Sequence, residues 1–514
     1  MQLRRRECAP GTRTGVQDRI KAWVNDPAGP KVLWMNGLPG MGKTTISYSL
    51  CKWLYDEHLL GASYFCSRTP SVCGSLERLI PTIAHQLAGF LPVFQSSLCK
   101  VLEEHPDSNS LEPHLQYERL LLRPLQEAKG QISKDTFIVI DGLDECEDYL
   151  SIQIHLEQLL CLPTELRIRL FITSRPEQVI YNSMFAAGYV STAIQLHNID
   201  ESIIKTDIKN YIYKSLEEMS PTPTQIEQLA DLSGNSFLYA ATAVEYILPH
   251  HSGGDPATRL QTILMHSRTG LKSRAAKFYE PLYLLYSTVL EQVVKKHPEG
   301  KETEDLQLVL WTVVCAKEPM TVGTLAKLIG FEPNRIKRSL ESLHSVLHVP
   351  ERVGYVTVLH ASFSDFIRNT PGPGELGCEE TVHSLFMAQR CFAVMRSKLK
   401  FNICGLETSF VADGDVLELE RRFESSVPAE LFYACRYWSY HLQQISLLEL
   451  KQGDAKGLDK MLSEFLSKRL LFWMEVLNLR GCMEAGVEML FSTRSWLVVS
   501  ATPVQTLMNM LTLI

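Results

Sequence analysis

The chain has no Cys-x-x-Cys pair, no apolar run of about 18 residues, no repeat at a period of 33 to 45 residues and no large excess of one charge. Each absence removes a class of protein. Thirteen cysteines, odd in number and irregularly spaced, fit neither a secreted disulfide framework nor a zinc ribbon, and read as the thiols of a reducing compartment. Without a long apolar run no membrane-spanning helix is expected. Arg4, Arg5 and Arg6 are followed by no apolar stretch of the signal-peptide kind, so the cytoplasm is the expected location. A missing repeat argues against an ankyrin or propeller sensor. A net charge of −7, from 51 basic and 58 acidic side chains, leaves no overall footprint for nucleic acid or an anionic membrane.

What is present is the composition of a folded chain, with 45% hydrophobic and 21% charged residues. At roughly 100 to 200 residues per domain, 514 residues allow several domains. The first firm signal is a short apolar run at 32–35, then Gly37-Leu38-Pro39-Gly40-Met41-Gly42-Lys43-Thr44-Thr45, then a helical pattern through Ile46, Leu50, Trp53 and Leu54. Residues 37–44 match G-x-x-x-x-G-K-[ST], in which each fixed position has a physical task. Glycines at 37, 40 and 42 let successive N–H groups turn toward phosphate oxygens, and the helix start adds a positive dipole end. The Lys43 ammonium reaches β- and γ-phosphates, and the Thr44 hydroxyl suits Mg²⁺. The bland alternative is a glycine-rich turn, which explains neither the lysine nor the flanking strand and helix.

A phosphate cradle also needs a carboxylate for the metal. The continuously apolar run 137–140, as expected of a strand buried on both faces, ends in Asp141-Gly142-Leu143-Asp144-Glu145. Asp141 is the expected metal carboxylate, acting through water. Asp144 and Glu145 are candidates to orient or deprotonate an attacking water, or else belong to a solvated acidic loop running through Glu147 and Asp148. A third apolar run, 168–172, leads into Thr173-Ser174-Arg175-Pro176, where Arg175 is either a γ-phosphate sensor or a surface arginine. With weaker strands at 62–66 and 192–196, the expected fold is an alternating α/β domain on a parallel sheet.

These three motifs together resemble the NACHT family of signal-transduction NTPases, in particular fungal NOD-like receptors and nephrocystin-like P-loop proteins. Ser233-Gly234-Asn235-Ser236-Phe237-Leu238-Tyr239-Ala240 resembles a stretch of their helical domain, although the proline many relatives carry there is absent. Val358-Leu359-His360-Ala361-Ser362-Phe363-Ser364-Asp365-Phe366 resembles a winged-helix motif, and Tyr433-Ala434-Cys435-Arg436-Tyr437-Trp438 a helical stretch beyond it. The resemblance implies a switch that binds ATP/ADP, or GTP/GDP, with Mg²⁺, hydrolyses slowly if at all, self-associates when activated and acts on signalling partners. It also implies that His360 contacts the β-phosphate of a bound diphosphate; read alone, a histidine among Val358, Leu359 and Phe363 is a core residue. Two other classes stay open: a metabolic P-loop ATPase or kinase, for which no acceptor-pocket motif is found, and a winged-helix DNA binder.

For the winged helix, 320–328 has helical periodicity broken at Gly330. A second helical pattern then puts Ile336, Leu340, Leu343 and Leu347 on one face, and 346–349 and 355–359 flank a hairpin turn. Asn334, Arg335, Lys337 and Arg338 form only a thin basic start to that second helix, so a solvated face is favoured over a nucleic-acid interface. The expected divisions are a lead segment 1–30, a nucleotide domain 31–200, a helical domain 201–270, a winged-helix region 271–375 and a helical region 376–514. Loops at 250–255 and 371–374 mark two of them. Phe465, Leu466, Leu470, Phe472 and Trp473 are expected in the core of the last. The apolar end at 507–514 reads as a truncated or partner-covered helix, and input and output modules of relatives are not expected here.

Overall fold

A computed structural model describes residues 6–67, 76–106, 108, 112–132, 134–146, 149–185, 193–248, 255–270, 280–296, 300–349, 354–369, 377–408, 410–445 and 457–499. Glu147, Asp148, Thr192 and the expected turn and terminal residues 250–254, 350–353, 371–374 and 507–514 lie outside them. The chain divides into two compact units, Met1–Leu285 and Tyr286–Ile514.

The first unit is built on five parallel strands: β1 (Val32–Asn36), β2 (Leu60–Phe65), β3 (Thr136–Asp141), β4 (Ile168–Ser174) and β5 (Ala193–Gln195). Their order is β2-β3-β4-β1-β5. Every residue of β1, β3 and β4 is buried, which explains their unbroken apolar runs: with helices on both faces, neither face has reason to alternate with polar residues. β4 lies between β1 and β3, so the loop after β1, the acidic turn after β3 and the Thr173–Arg175 stretch after β4 emerge side by side at one edge. That edge is the carboxyl end of a parallel sheet, where ligands of such sheets gather.

At the other end of the sheet the helix Thr14–Asn25 is fastened to β4 by Arg169. This buried guanidinium donates to the carbonyls of Trp23 (2.8 Å) and Asp26 (2.9 Å) and lies over the Trp23 ring. It satisfies carbonyls that the last helical turn leaves without partners. Three capped helices follow the sheet. Asp200 caps Glu201–Ser215 through the Ser202 N–H, Thr222 and Gln225 form a reciprocal box on Pro223–Ser233, and Ser236 caps Phe237–Ile247 through the Tyr239 N–H.

In the second unit the helix Gly300–Cys315 is followed by β6 (Met320–Thr321), the helices Val322–Ile329 and Pro333–Glu341, β7 (Leu347–His348), β8 (Tyr355–Val358) and the helix Ala361–Asn369. The strands form an antiparallel sheet in the order β6-β8-β7. Two expectations need correction. Residues 320 and 321 are a strand, and helix begins at Val322, where Thr321 caps it. The second helix ends at Glu341; Leu347 is buried because it pairs with Val358 in β7, a spacing that a helical face and a returning strand satisfy equally. Gly330 ends its helix in the left-handed region, as read. Arg335 is held by Asp305 and covers the Phe331 ring, so the most prominent cation of that basic start is spent on packing.

The remainder is helical. Glu380–Lys398, Ala429–Gln443, Leu458–Lys468, Leu470–Leu479 and Met483–Val499 surround Trp438, whose ring meets Phe392, Phe465 and Trp473 at 5.0 to 6.1 Å. Phe465, Leu466 and Trp473 are buried, and Leu470 and Phe472 half-buried. Among the described residues no helix is long and apolar enough to cross a membrane.

Candidate nucleotide site

The loop after β1 leaves Asn36, turns through Leu38, Pro39 and Met41, and delivers Lys43 to the first turn of the helix Lys43–Asp56. Gly40 and Gly42 have φ of +78° and +86°, values at which a side chain is strained. Gly37 is needed for a different reason: a Cβ there would sit 2.9 Å from the Leu196 Cβ. Pro39 and Met41 are buried, Leu38 and Thr44 exposed, and Thr45 half-buried. The loop is tied to its neighbour by the Gly37 N–H, which donates to the Ser174 carbonyl at 3.3 Å.

Lys43 folds back over the loop, donating to the carbonyls of Gly37 (2.8 Å) and Leu38 (3.2 Å). Burial holds its ammonium below the ordinary lysine range, and the nearby Asp144, Asp141 and Glu145 work against that shift while Arg175 reinforces it. A cation held only by loop carbonyls, at a helix start and beside N–H groups, suits a polyphosphate.

Asp141 ends β3 and is buried. Its Oδ1 accepts from Ser47 Oγ at 2.6 Å and from Thr173 Oγ1 at 2.7 Å, and the same Thr173 oxygen accepts from the Gly142 N–H at 3.0 Å. Helix, β3 and β4 thus meet on one carboxylate oxygen. Ser47 was not singled out in the sequence; it lies one helical turn past Lys43, and that i, i+4 spacing was the signal available. Thr44, the hydroxyl expected to serve a metal, is exposed on the same first turn.

Asp144 and Arg175, assigned separate roles from the sequence, are bound to each other. Asp144 Oδ1 accepts from the Arg175 backbone N–H at 2.8 Å, and Oδ2 faces Arg175 Nε at 3.0 Å, with only 2% of the Asp144 side chain exposed. Glu145 is half-buried at the end of the same short turn, Leu143–Glu145.

The residues before the first strand belong to the site as well. Arg13 is 4% exposed with φ +55°. Its backbone N–H donates to Asp207 Oδ2 at 3.0 Å, its Nη2 donates to the Met41 carbonyl at 2.9 Å, and its guanidinium lies over the Phe237 ring at 4.8 Å. Nε and Nη1 are buried without a hydrogen-bond partner. Upstream, the Cys8 N–H reaches Ser49 Oγ at 2.9 Å. On the other side of the loop, the Leu238 N–H donates to the Gly40 carbonyl at 3.2 Å, and a Cβ on Gly40 would sit 2.9 Å from the Leu238 Cβ. The helix Phe237–Ile247 therefore starts directly on the phosphate loop.

His360, in the second unit, caps the helix Ala361–Asn369. Its Nδ1 accepts from the Ser362 N–H at 3.1 Å, so the neutral ring carries its proton on Nε2. Ser362 Oγ lies 2.9 Å from both His360 Nδ1 and the Tyr286 hydroxyl.

The donor set fits Mg²⁺ and a nucleotide phosphate chain: a carboxylate fixed by two hydroxyls, an exposed threonine hydroxyl one turn away, a loop with two left-handed glycines, and a buried guanidinium with unmade hydrogen bonds.

Comparison with known proteins agrees with this geometry. Residues 14–175 match the family described as Nephrocystin 3, N-terminal. Over 510 residues the chain is 24% identical to the vegetative incompatibility protein HET-E-1 of Podospora anserina, covering 91% of this chain and 35% of that protein, so it spans about a third of that relative's length. Solved structures with weaker likeness include Cdc6p from Pyrobaculum aerophilum (13% identity, TM-score 0.32, 68% of this chain and 91% of that one). Another is RuvB of Thermotoga maritima (12% identity, TM-score 0.28, 70% and 96%). The fold rests on the strand pairing described above and not on those two. With loop, acidic turn and family match in agreement, residues 14–175 are similar to the nephrocystin 3 N-terminal family and lie on a P-loop type of parallel sheet.

Proposed function

We propose that the protein is a nucleotide-dependent regulatory switch that binds ATP and ADP, or their guanine counterparts, with Mg²⁺. The observation that carries this reading is the start of the helix Phe237–Ile247 on the phosphate loop, because a change in the loop must then be felt by the helical segment. In this reading Gly37 to Thr45 cradle the phosphates, and Lys43 exchanges its two carbonyl partners for phosphate oxygens. Thr44 and Asp141 hold Mg²⁺, Asp141 through water, with Ser47 and Thr173 fixing its orientation. The metal's contribution is to neutralise charge on the β- and γ-phosphates.

The Asp144–Arg175 pair acts as a latch: a γ-phosphate competes for the guanidinium and releases the carboxylate. Glu145, not bound into that pair, is the better candidate to orient water in a slow hydrolysis that resets the switch. Residues 271–375 are read as a winged-helix region, with the helix, strand, helix, helix, strand, strand order within 300–358 in its support. His360 would donate from Nε2 to a diphosphate, favouring the ADP form; the ATP form would self-associate and engage signalling partners.

Lys43→Ala tests the cradle. Calorimetry should find ADP and ATP affinity reduced at least about 100-fold, as expected when a charge-assisted contact at two phosphates is lost. Affinity within a few-fold of the parent, in a variant that melts cooperatively, would overturn the assignment.

A further inference from the structure

Cys315 is the last residue of the helix Gly300–Cys315, and Cys378 lies two residues before the helix Glu380–Lys398. They are 63 positions apart, both buried (4% and 8% exposed), and their sulfurs are 3.6 Å apart. The end of the helix Ala361–Asn369 is stitched to both. The Cys378 N–H donates to the Ile367 carbonyl at 3.1 Å, and Arg368 Nη2 donates to the Val314 carbonyl at 2.6 Å. Arg368 Nε is buried without a hydrogen bond, its nearest carboxylate oxygen being on Glu380 at 3.8 Å. A half-buried guanidinium whose buried Nε–H makes no hydrogen bond, beside two thiols, is a place where a thiolate is stabilised. The Cys378 hydrogen bond and Arg368 pull the Cys315 thiol below its ordinary range, against burial, whereas burial pushes the Cys391 and Cys435 thiols up.

We propose that Cys315 and Cys378 are a peroxide-responsive thiol pair that closes to a reversible disulfide. The Cys315 thiolate attacks one oxygen of hydrogen peroxide; an S–O bond forms, the O–O bond breaks, and the departing hydroxide takes up a proton to leave as water. Cys378 sulfur then attacks the Cys315 sulfenic acid. An S–S bond forms, the S–O bond breaks, and the hydroxyl leaves as water with the Cys378 proton. Two thiols are oxidised by two electrons and one peroxide is reduced to two waters. The sulfurs must approach by about 1.5 Å to reach bonding distance. The resulting ring encloses β6, β7, β8 and the helix that His360 caps, so oxidation fixes that region against the helix Gly300–Cys315. This inference does not depend on nucleotide binding.

The test is peroxide titration of the full, reduced chain, followed by alkylation under denaturing conditions and peptide mass mapping. The expected product is a Cys315–Cys378 linked peptide, reversed by dithiothreitol, appearing at a peroxide dose about tenfold below that which oxidises the exposed Cys99 and Cys161. In Cys378→Ser, which lacks the resolving thiol, dimedone should label Cys315. Oxidation of Cys99 and Cys161 while both members of the pair remain alkylatable overturns the proposal, as does the absence of dimedone label on Cys315 in a cooperatively melting Cys378→Ser. Should that variant fail to fold, the mapping of the parent chain decides alone.

Discussion

Asp144 cannot serve as a proton acceptor while both its oxygens are occupied by Arg175, so the two acidic residues of the turn should respond differently to the loss of charge. Asp144→Asn keeps an acceptor for the Arg175 N–H but leaves a guanidinium with 23% of its surface exposed unpaired, and should lower stability by about 1–3 kcal/mol. Glu145→Gln, at a half-buried position, should cost less stability than Asp144→Asn and slow hydrolysis with affinity unchanged. Chemical denaturation and single-turnover kinetics separate the two; equal stability losses would refute the division of roles. His360 also has two tasks to be parted. His360→Asn retains a side-chain oxygen for the Ser362 N–H but loses the Nε2 donor, and should weaken ADP more than ATP by roughly 10-fold or more. Equal changes for the two nucleotides would return His360 to a capping role alone. The candidate site residues Lys43 and Asp141 were legible because their signal is local: they sit at fixed offsets from strands that announce themselves. Ser47 and Arg13 were not, since a serine in a helix and an arginine in a lead segment acquire meaning only from Asp141 and Met41, which lie 94 and 28 positions away.

At the scale of elements, the two left-handed glycines of the loop offer a controlled comparison. An added Cβ at Gly42 meets nothing within 4 Å, so Gly42→Ala should cost only backbone strain, about 1–2 kcal/mol. At Gly40 the same strain is joined by a collision with Leu238, which must move with the start of its helix. Gly40→Ala should therefore cost at least about 1 kcal/mol more and increase amide exchange in the Phe237–Ile247 helix, an effect absent in Gly42→Ala. Equal protection of that helix in the two variants would argue that loop and helix are not coupled. Strands β1, β3 and β4 could be read firmly from the sequence because burial on both faces writes itself as continuous apolar runs, whereas the partly buried β2 and β5 gave weaker signals. The error at Leu343 and Leu347 has the opposite cause: a short helix followed by a tight return places apolar residues at spacings a longer helix would also produce.

On the scale of the whole chain, acid should act first on the second unit. His383 and His441 are buried, and burial lowers each to about 3. Thr312 Oγ1, which donates to the Leu308 carbonyl, accepts from His383 Nε2; the Tyr433 hydroxyl, accepting from the Lys317 N–H, donates to His441 Nε2. Both rings are neutral in the fold. Because their folded values lie below the unfolded value of 6.5, the unfolded chain binds more protons between pH 6.5 and 3. Their contribution is complete above 6.5 and is lost as pH falls, at up to about 1.4 kcal/mol per pH unit for each histidine. Urea denaturation between pH 7 and 5 should reveal that slope, and His441→Gln should remove about half of it; an unchanged slope would mean that the ring is protonated in the fold.

The lead segment has a consequence of another kind, for synthesis. Asp207, the partner of Arg13, is synthesised 194 residues after it. At about 5–20 residues per second that interval is on the order of 10 to 40 s. During it Arg13 is without Asp207 while the Met41 carbonyl is already present, so its contact with the loop can form before the helix Glu201–Ser215 that completes the clasp exists.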